Sequence, residues 1–96
     1  MLILVTYDVS LTDISGQKRL RRVARVCQNY GVRVQNSVFE CVVDQTQFII
    51  LKDKLLKEIS MEHDSLRFYR LGNNYKDKIE HYGVKRDISV EDTLVF

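Results

Sequence analysis

The apolar positions fall into segments of clearly different period. Residues 2–9 (LILVTYDV) are almost continuously apolar and β-branched, the pattern of a central strand buried on both faces. Polarity enters only at its end. There Asp8 shares a face with Leu2, Leu4 and Thr6, while Ile3, Val5, Tyr7 and Val9 share the other. Ser10 to Gly16 reads as a polar loop, with Asp13 or Ser15 placed to cap a following helix. From Gln17 to Tyr30, Leu20, Val23, Ala24, Cys27 and Tyr30 recur at helical spacing, and Gly31 stands where a left-handed terminator is expected. Val32 to Val43 is broken by Gln35-Asn36-Ser37 into two strands with a tight connection. Asp44 leads into a second helix, Gln45 to Ser60, with Phe48, Leu51, Leu55, Leu56 and Ile59 on one stripe and Asp53 and Lys57 spaced to pair. Ser65 to Leu71 (SLRFYRL) is a fourth strand, stopped by Gly72-Asn73-Asn74. On it Phe68 and Tyr69 alternate, one toward the core and one toward solvent or a partner.

The order β-α-β-β-α-β predicts an α+β, ferredoxin-like sandwich: two helices on one face of an antiparallel sheet whose first and third strands are central. The other sheet face has no cover from these helices, and a second copy of the chain is the economical way to supply it. Residues 1–72 form the predicted domain. Residues 73–96 form a C-terminal segment, mostly polar, that ends in Thr93-Leu94-Val95-Phe96. That apolar end reads as an additional strand, either on the chain's own edge or added to a partner's edge in a dimer.

Composition narrows the class. With 96 residues, 45% hydrophobic and 29% charged, the chain is an ordinary globular domain of one core rather than a disordered segment. No apolar run approaches the ~20 residues of a membrane span. The apolar start lacks a basic flank and reads as a strand rather than a leader, so the cytoplasm is the expected compartment. Two cysteines do not make a disulfide framework there. Net charge is only +2, which by itself argues against nucleic acid. Its distribution argues the reverse. Between Ile14 and Phe39 there are six basic residues (Lys18, Arg19, Arg21, Arg22, Arg25, Arg33) and no acidic one.

Two features carry candidate chemistry. Asp8 ends an apolar strand, where a carboxylate needs a partner or water. It reads either as a strand-end residue bonded to loop amides or as a metal ligand. One carboxylate is a weak Mg²⁺ site; two, brought together by a twofold axis, are a better one because a cation relieves their repulsion. The first helix carries a basic face with no acidic partner at i, i+4. It reads as a solvated face or as a phosphate-binding stripe, for which the planar arginine fork is suited. Nothing here reads base edges. Arg67 and Arg70 are weaker candidates. His63 and His81 are isolated, Cys27 and Cys41 suit the core, and Ser37 lacks a nucleophile elbow.

Taken together, these residues resemble the CRISPR-associated protein 2 family. The resemblance rests on the strand ending in Tyr7-Asp8, on Gly31-Val32-Arg33-Val34-Gln35 leading into Ser37-Val38-Phe39-Glu40, and on Arg67-Phe68-Tyr69-Arg70-Leu71. It covers essentially the whole chain. It implies a ferredoxin-like homodimer with the last strand on the partner, and a role in CRISPR adaptation beside the CRISPR integrase. It also implies a Mg²⁺-dependent endonuclease acting on single-stranded RNA or double-stranded DNA, or else a scaffold that holds DNA. By resemblance Asp8 is the metal ligand, with one Mg²⁺ between the two Asp8 side chains of a dimer. Tyr7, Arg33 and Phe39 match positions implicated in activity, and Arg19 and Arg21 match arginines of the first helix. Asn36 departs from the aromatic often found between Gln and Ser.

The nuclease reading gives the helix arginines and Arg33 the task of holding backbone while Tyr7 or Phe39 orients it. The scaffold reading needs only the charge pattern and the symmetry. A small ribonuclease of the same fold with no CRISPR role is a third reading.

Overall fold

A computed structural model describes residues 1–9, 14–71 and 79–84. The element order is β1 (Leu2–Asp8), α1 (Gly16–Gln28), β2 (Gly31–Gln35), β3 (Val38–Val42), α2 (Gln45–Glu58), β4 (Ser65–Arg70) and β5 (Ile79–Gly83). All neighbouring strands pair antiparallel, in the order β2-β3-β1-β4-β5. β1 and β3 are thus interior, as the ferredoxin-like order requires.

Burial explains why these segments adopt these periods. Ile3, Val5 and Tyr7 of β1, Phe39 and Cys41 of β3, and Leu66 and Phe68 of β4 form one core. They meet Leu20, Val23, Ala24 and Cys27 of α1 and Phe48, Leu51 and Leu55 of α2. Leu56, Ile59 and Tyr30 complete the stripes from partly buried positions. α2 begins with a reciprocal capping box: Asp44 accepts from the Gln47 amide at 2.7 Å and its own amide donates to the Gln47 side chain at 2.9 Å, satisfying two otherwise orphan donors. Ser15 occupies the cap position of α1 without a side-chain capping bond; Asp13 lies outside the described residues. The Asp53–Lys57 pair forms at 3.1 Å but is exposed and contributes little.

Gly31 differs from the expectation. It is the first residue of β2, and among the described glycines only Gly83 has a positive φ. α1 ends instead by tightening, with the Asn29 and Tyr30 amides donating to Val26 and Cys27 carbonyls. Gly31 is needed for close approach: a Cβ there would lie 1.8 Å from the Glu40 carbonyl oxygen and 2.6 Å from the Cys41 Cα. Gly31→Ala must push β2 off β3 and is expected to cost about 1–3 kcal/mol, as overpacking does, read as a lower thermal midpoint.

The additional strand also differs. β5 lies within the stretch read as polar connection, beyond residue 72, and pairs with β4 from Ser65↔Gly83 to Tyr69↔Ile79. It presents Glu80 and Tyr82 toward the helices. There Glu80 meets Lys52 of α2 at 2.8 Å, the Tyr82 hydroxyl at 3.0 Å and Arg70 at 3.8 Å. Burial alone would raise the Glu80 carboxyl, but these donors, Lys52 first, hold it below the usual range. Thr93 to Phe96 lie outside the described residues.

The face opposite the helices is not bare. Leu4, Val38 and Tyr69 form a second small cluster there, and Tyr69 is fully buried rather than solvent-facing. Toward the β2 edge the same face stays open and apolar, with Val32 60% and Val42 72% exposed.

Candidate functional site

Asp8 closes β1 at the end of the sheet where the β2–β3 turn and the start of β4 also lie. It is exposed and its registry partner is Ser65. Strand alternation turns it to the helix-free face. Across β4, Arg67 pairs with Thr6 and is therefore the diagonal neighbour of Asp8 on that face.

Tyr7, one residue away, points the opposite way, into the helix-covered core, and is 1% exposed. Its hydroxyl donates a short hydrogen bond to Asp64, a fully buried carboxylate between α2 and β4. Arg19 grips the same carboxylate with two bonds, Nε at 2.8 Å and Nη2 at 3.0 Å, and the Ser60 amide donates to it at 2.9 Å. Burial would raise Asp64, yet the Arg19, Ser60 and Tyr7 donors prevail and hold it below its ordinary value. Burial, followed by the Asp64 contact, pushes the Tyr7 phenol well up. Tyr7 has no surface to offer a substrate. This corrects the expectation that it orients nucleic acid directly. Arg19 likewise leaves the basic stripe, because its guanidinium is committed to Asp64.

The stripe that remains is Lys18, Arg21, Arg22 and Arg25, all exposed and lining one shallow depression. A second depression adjoins it, lined by Arg21, Arg25, Gln28, Asn29, Ala24 and Arg33. The stripe so continues from α1 onto the β2 edge. Its isolation from acids is less complete than the helix alone implied, since Glu58 of α2 stands 3.9 Å from Arg22.

The structure brings Arg33 and Phe39 together. They are registry partners on β2 and β3, and the guanidinium lies 5.5 Å from the ring centroid, within cation–π range. Arg33 also donates to the Asn36 carbonyl at 2.8 Å and to its side chain at 3.3 Å. Phe39 is fully buried, so it supports Arg33 and touches no ligand itself.

The basic stripe faces away from the sheet on the helix layer, whereas Asp8 faces out of the opposite side. Within one chain the two do not converge. Among the described residues no three His, Cys, Asp or Glu side chains gather as a metal cluster, and no helix is long and apolar enough to cross a membrane. Cys27 and Cys41 are buried free thiols. The neighbouring Cys41 thiol and burial push Cys27 well up, so it is inert core as expected. Arg70 is held within the fold, 5.0 Å from the Phe48 ring and near Glu80.

Two contacts lie beyond what the sequence reading reached. Asp64 lies 45 positions from Arg19 and 57 from Tyr7, so no local spacing marks it; the one available signal is a carboxylate directly before a strand. His81, on β5 within the segment expected to be mostly polar, accepts from the Arg67 Nε at 2.9 Å.

Comparison with known proteins matches this geometry to one group. The model of the family described as CRISPR associated protein Cas2 matches residues 1–79. The CRISPR-associated endonuclease Cas2 of Halalkalibacterium halodurans is 62% identical over 96 residues, covering 100% of both chains. The CRISPR-associated endoribonuclease Cas2 of Nitratidesulfovibrio vulgaris is 55% identical over 95 residues, 99% of this chain and 93% of that one. The crystal structure of Streptococcus pyogenes Cas2 at pH 6.5 superposes with a TM-score of 0.72 at 49% identity, covering 86% of this chain and 100% of that chain. The chain belongs to the CRISPR-associated Cas2 family.

Proposed function

We propose that the protein is a cytoplasmic CRISPR-associated endonuclease that hydrolyses phosphodiester bonds as a homodimer, with Asp8 as its metal ligand. The observation that carries this reading is an exposed carboxylate at the end of a largely buried central strand, on the sheet face opposite α1 and α2. The endonuclease and endoribonuclease names of full-length relatives support the reaction class. Exposed Val32 and Val42 on the same face support the second copy, since burying them against a partner removes apolar surface from water.

The donor set fits Mg²⁺. Each chain offers one hard oxygen ligand, and a twofold axis supplies a second, leaving the remaining positions to water, as this ion prefers. When bound, Mg²⁺ supplies Lewis acidity for phosphodiester hydrolysis. The chain's own residues do the rest. Lys18, Arg21, Arg22 and Arg25 hold phosphates, and Arg33 extends that grip at the sheet edge, aimed by Phe39 and Asn36. The Tyr7–Asp64–Arg19 cluster fixes the strand end from which Asp8 projects.

One observation favours a second reading, a DNA-holding scaffold for the CRISPR integrase: the basic stripe and Asp8 lie on opposite layers. Duplex DNA bound along the stripe would not cross Asp8 of the same chain. Asp8→Asn separates the two. Under the nuclease reading it lowers Mg²⁺-dependent cleavage of single-stranded RNA or duplex DNA at least 10²-fold and leaves duplex binding in chelator unchanged. Wild-type cleavage rates in the variant would remove Asp8 from the reaction and leave the scaffold.

A further inference from the structure

We propose that Arg67 is a phosphate-holding residue of the Asp8 centre, its guanidinium positioned by His81 and Tyr69; the inference rests on the nuclease reading above. Register places it. Asp8 pairs with Ser65 and Thr6 with Arg67, so Asp8 and Arg67 are diagonal neighbours on one sheet face, about 7–8 Å apart at the backbone. That separation leaves room for a phosphate between a carboxylate-bound ion and a guanidinium. Arg67 is half-buried and so retains an accessible edge.

The contacts around Arg67 differ from those of the other half-buried arginines. Arg19 is bonded to Asp64, and Arg70 stands 3.8 Å from Glu80. Arg67 has only neutral partners among the described residues: Nε donates to His81 Nδ1 at 2.9 Å and Nη1 to the Tyr69 hydroxyl at 3.4 Å. Among the described residues two of its five N–H donors are used, and no carboxylate bonds to it. The acceptor role fixes the His81 tautomer. Nδ1 carries the lone pair, and Nε2–H donates to the Val84 carbonyl at 3.0 Å. With Nε tethered to His81 and Nη1 to Tyr69, the remaining N–H groups of Nη1 and Nη2 form the pair of donors that suits two phosphate oxygens. A purely structural tie between β4 and β5 would not require the positive charge.

The test uses the full-length protein with Asp8→Asn alongside. Arg67→Gln is expected to lower kcat/KM for Mg²⁺-dependent cleavage about 10²-fold. It should also make the slope of log affinity against log salt less negative by about 0.9 per protomer for duplex DNA. Arg67→Lys keeps the charge without the fork and should lose about 10-fold. His81→Phe removes the tether and should lower kcat/KM several-fold with the salt slope unchanged, while His81→Asn, which retains an acceptor near the Nδ1 position, restores activity. If Asp8→Asn abolishes cleavage while Arg67→Gln cleaves and binds as wild type, this inference is overturned and the nuclease reading stands. If Asp8→Asn cleaves as wild type, the reading of the centre fails instead, and the salt slope alone decides whether Arg67 touches phosphate. Should Arg67→Gln melt too low for assay, Arg67→Lys decides: wild-type activity in it overturns the proposal.

Discussion

Asp64→Ala is expected to destabilise the protein by about 3–5 kcal/mol, the range for breaking a buried charge pair by removing one partner. For a domain of this size that is a fall in thermal midpoint on the order of 20 °C, measurable by calorimetry or circular dichroism. The size follows from what is left behind. The Arg19 side chain is 11% exposed, so its largely buried charge would lose the Asp64 carboxylate, and the Tyr7 hydroxyl and Ser60 amide would lose their acceptor. Tyr7→Phe removes one hydrogen bond to a charged group and should cost less, about 1.5–3 kcal/mol. Acidity provides an independent check. The Asp64 carboxyl is lowered in the folded chain relative to an ordinary value of about 3.9. Its contribution is therefore complete above that value and is lost as pH falls through the lower folded value. Wild type should lose stability below about pH 4, and Asp64→Asn should lack that part of the acid loss.

Duplex binding should depend steeply on salt. Four phosphate contacts per protomer, from Lys18, Arg21, Arg22 and Arg25, make eight in a dimer. The α1 stripe alone then contributes about −7 to the slope of log affinity against log salt, at 0.9 per phosphate, before Arg33 and Arg67 add to it. Affinity would fall roughly 10⁴-fold between 50 and 200 mM salt. Arg21 and Arg25 line both basic depressions, which makes their joint replacement by Ala the decisive variant. It removes four contacts per dimer, halves the α1 part of the slope to about −3.6 and reduces the loss due to that part to about 10²-fold. Titration of fluorescent duplex at several salt concentrations reads this directly. An unchanged slope would take α1 out of the interface.

The parts of the fold that follow from apolar periodicity were legible in the sequence: the β1 run, both helical stripes and the split at Gln35-Asn36-Ser37 all correspond to elements. What escaped was polar and long-range. β5 lies hidden in a stretch that reads only as polar, because its inward-facing Glu80 looks like a solvent residue until Lys52, 28 positions away, is seen to pair with it. Arg19 looks like one member of a free basic stripe because its acid is supplied by a distant turn. Gly31 is informative as a glycine, but as a site of backbone approach rather than a helix stop. Asp8 was visible for a physical reason, a charge at the end of an apolar strand. The face on which Arg67 stands beside it required the register, which no single strand reveals.

β1 lies between β3 and β4, with β2 and β5 outside them. Its central amides are therefore the furthest from either sheet edge, and they are expected to exchange with solvent only when the whole molecule opens. Asp8 ends that strand, so the backbone from which its carboxylate projects keeps its place for the lifetime of the native state. The stripe on α1 has a shorter memory: its long side chains change rotamer in picoseconds to nanoseconds. One chain thus carries its basic side chains on rotamers that readjust quickly and its strand-end carboxylate on a backbone mount that stays in place until the protein unfolds.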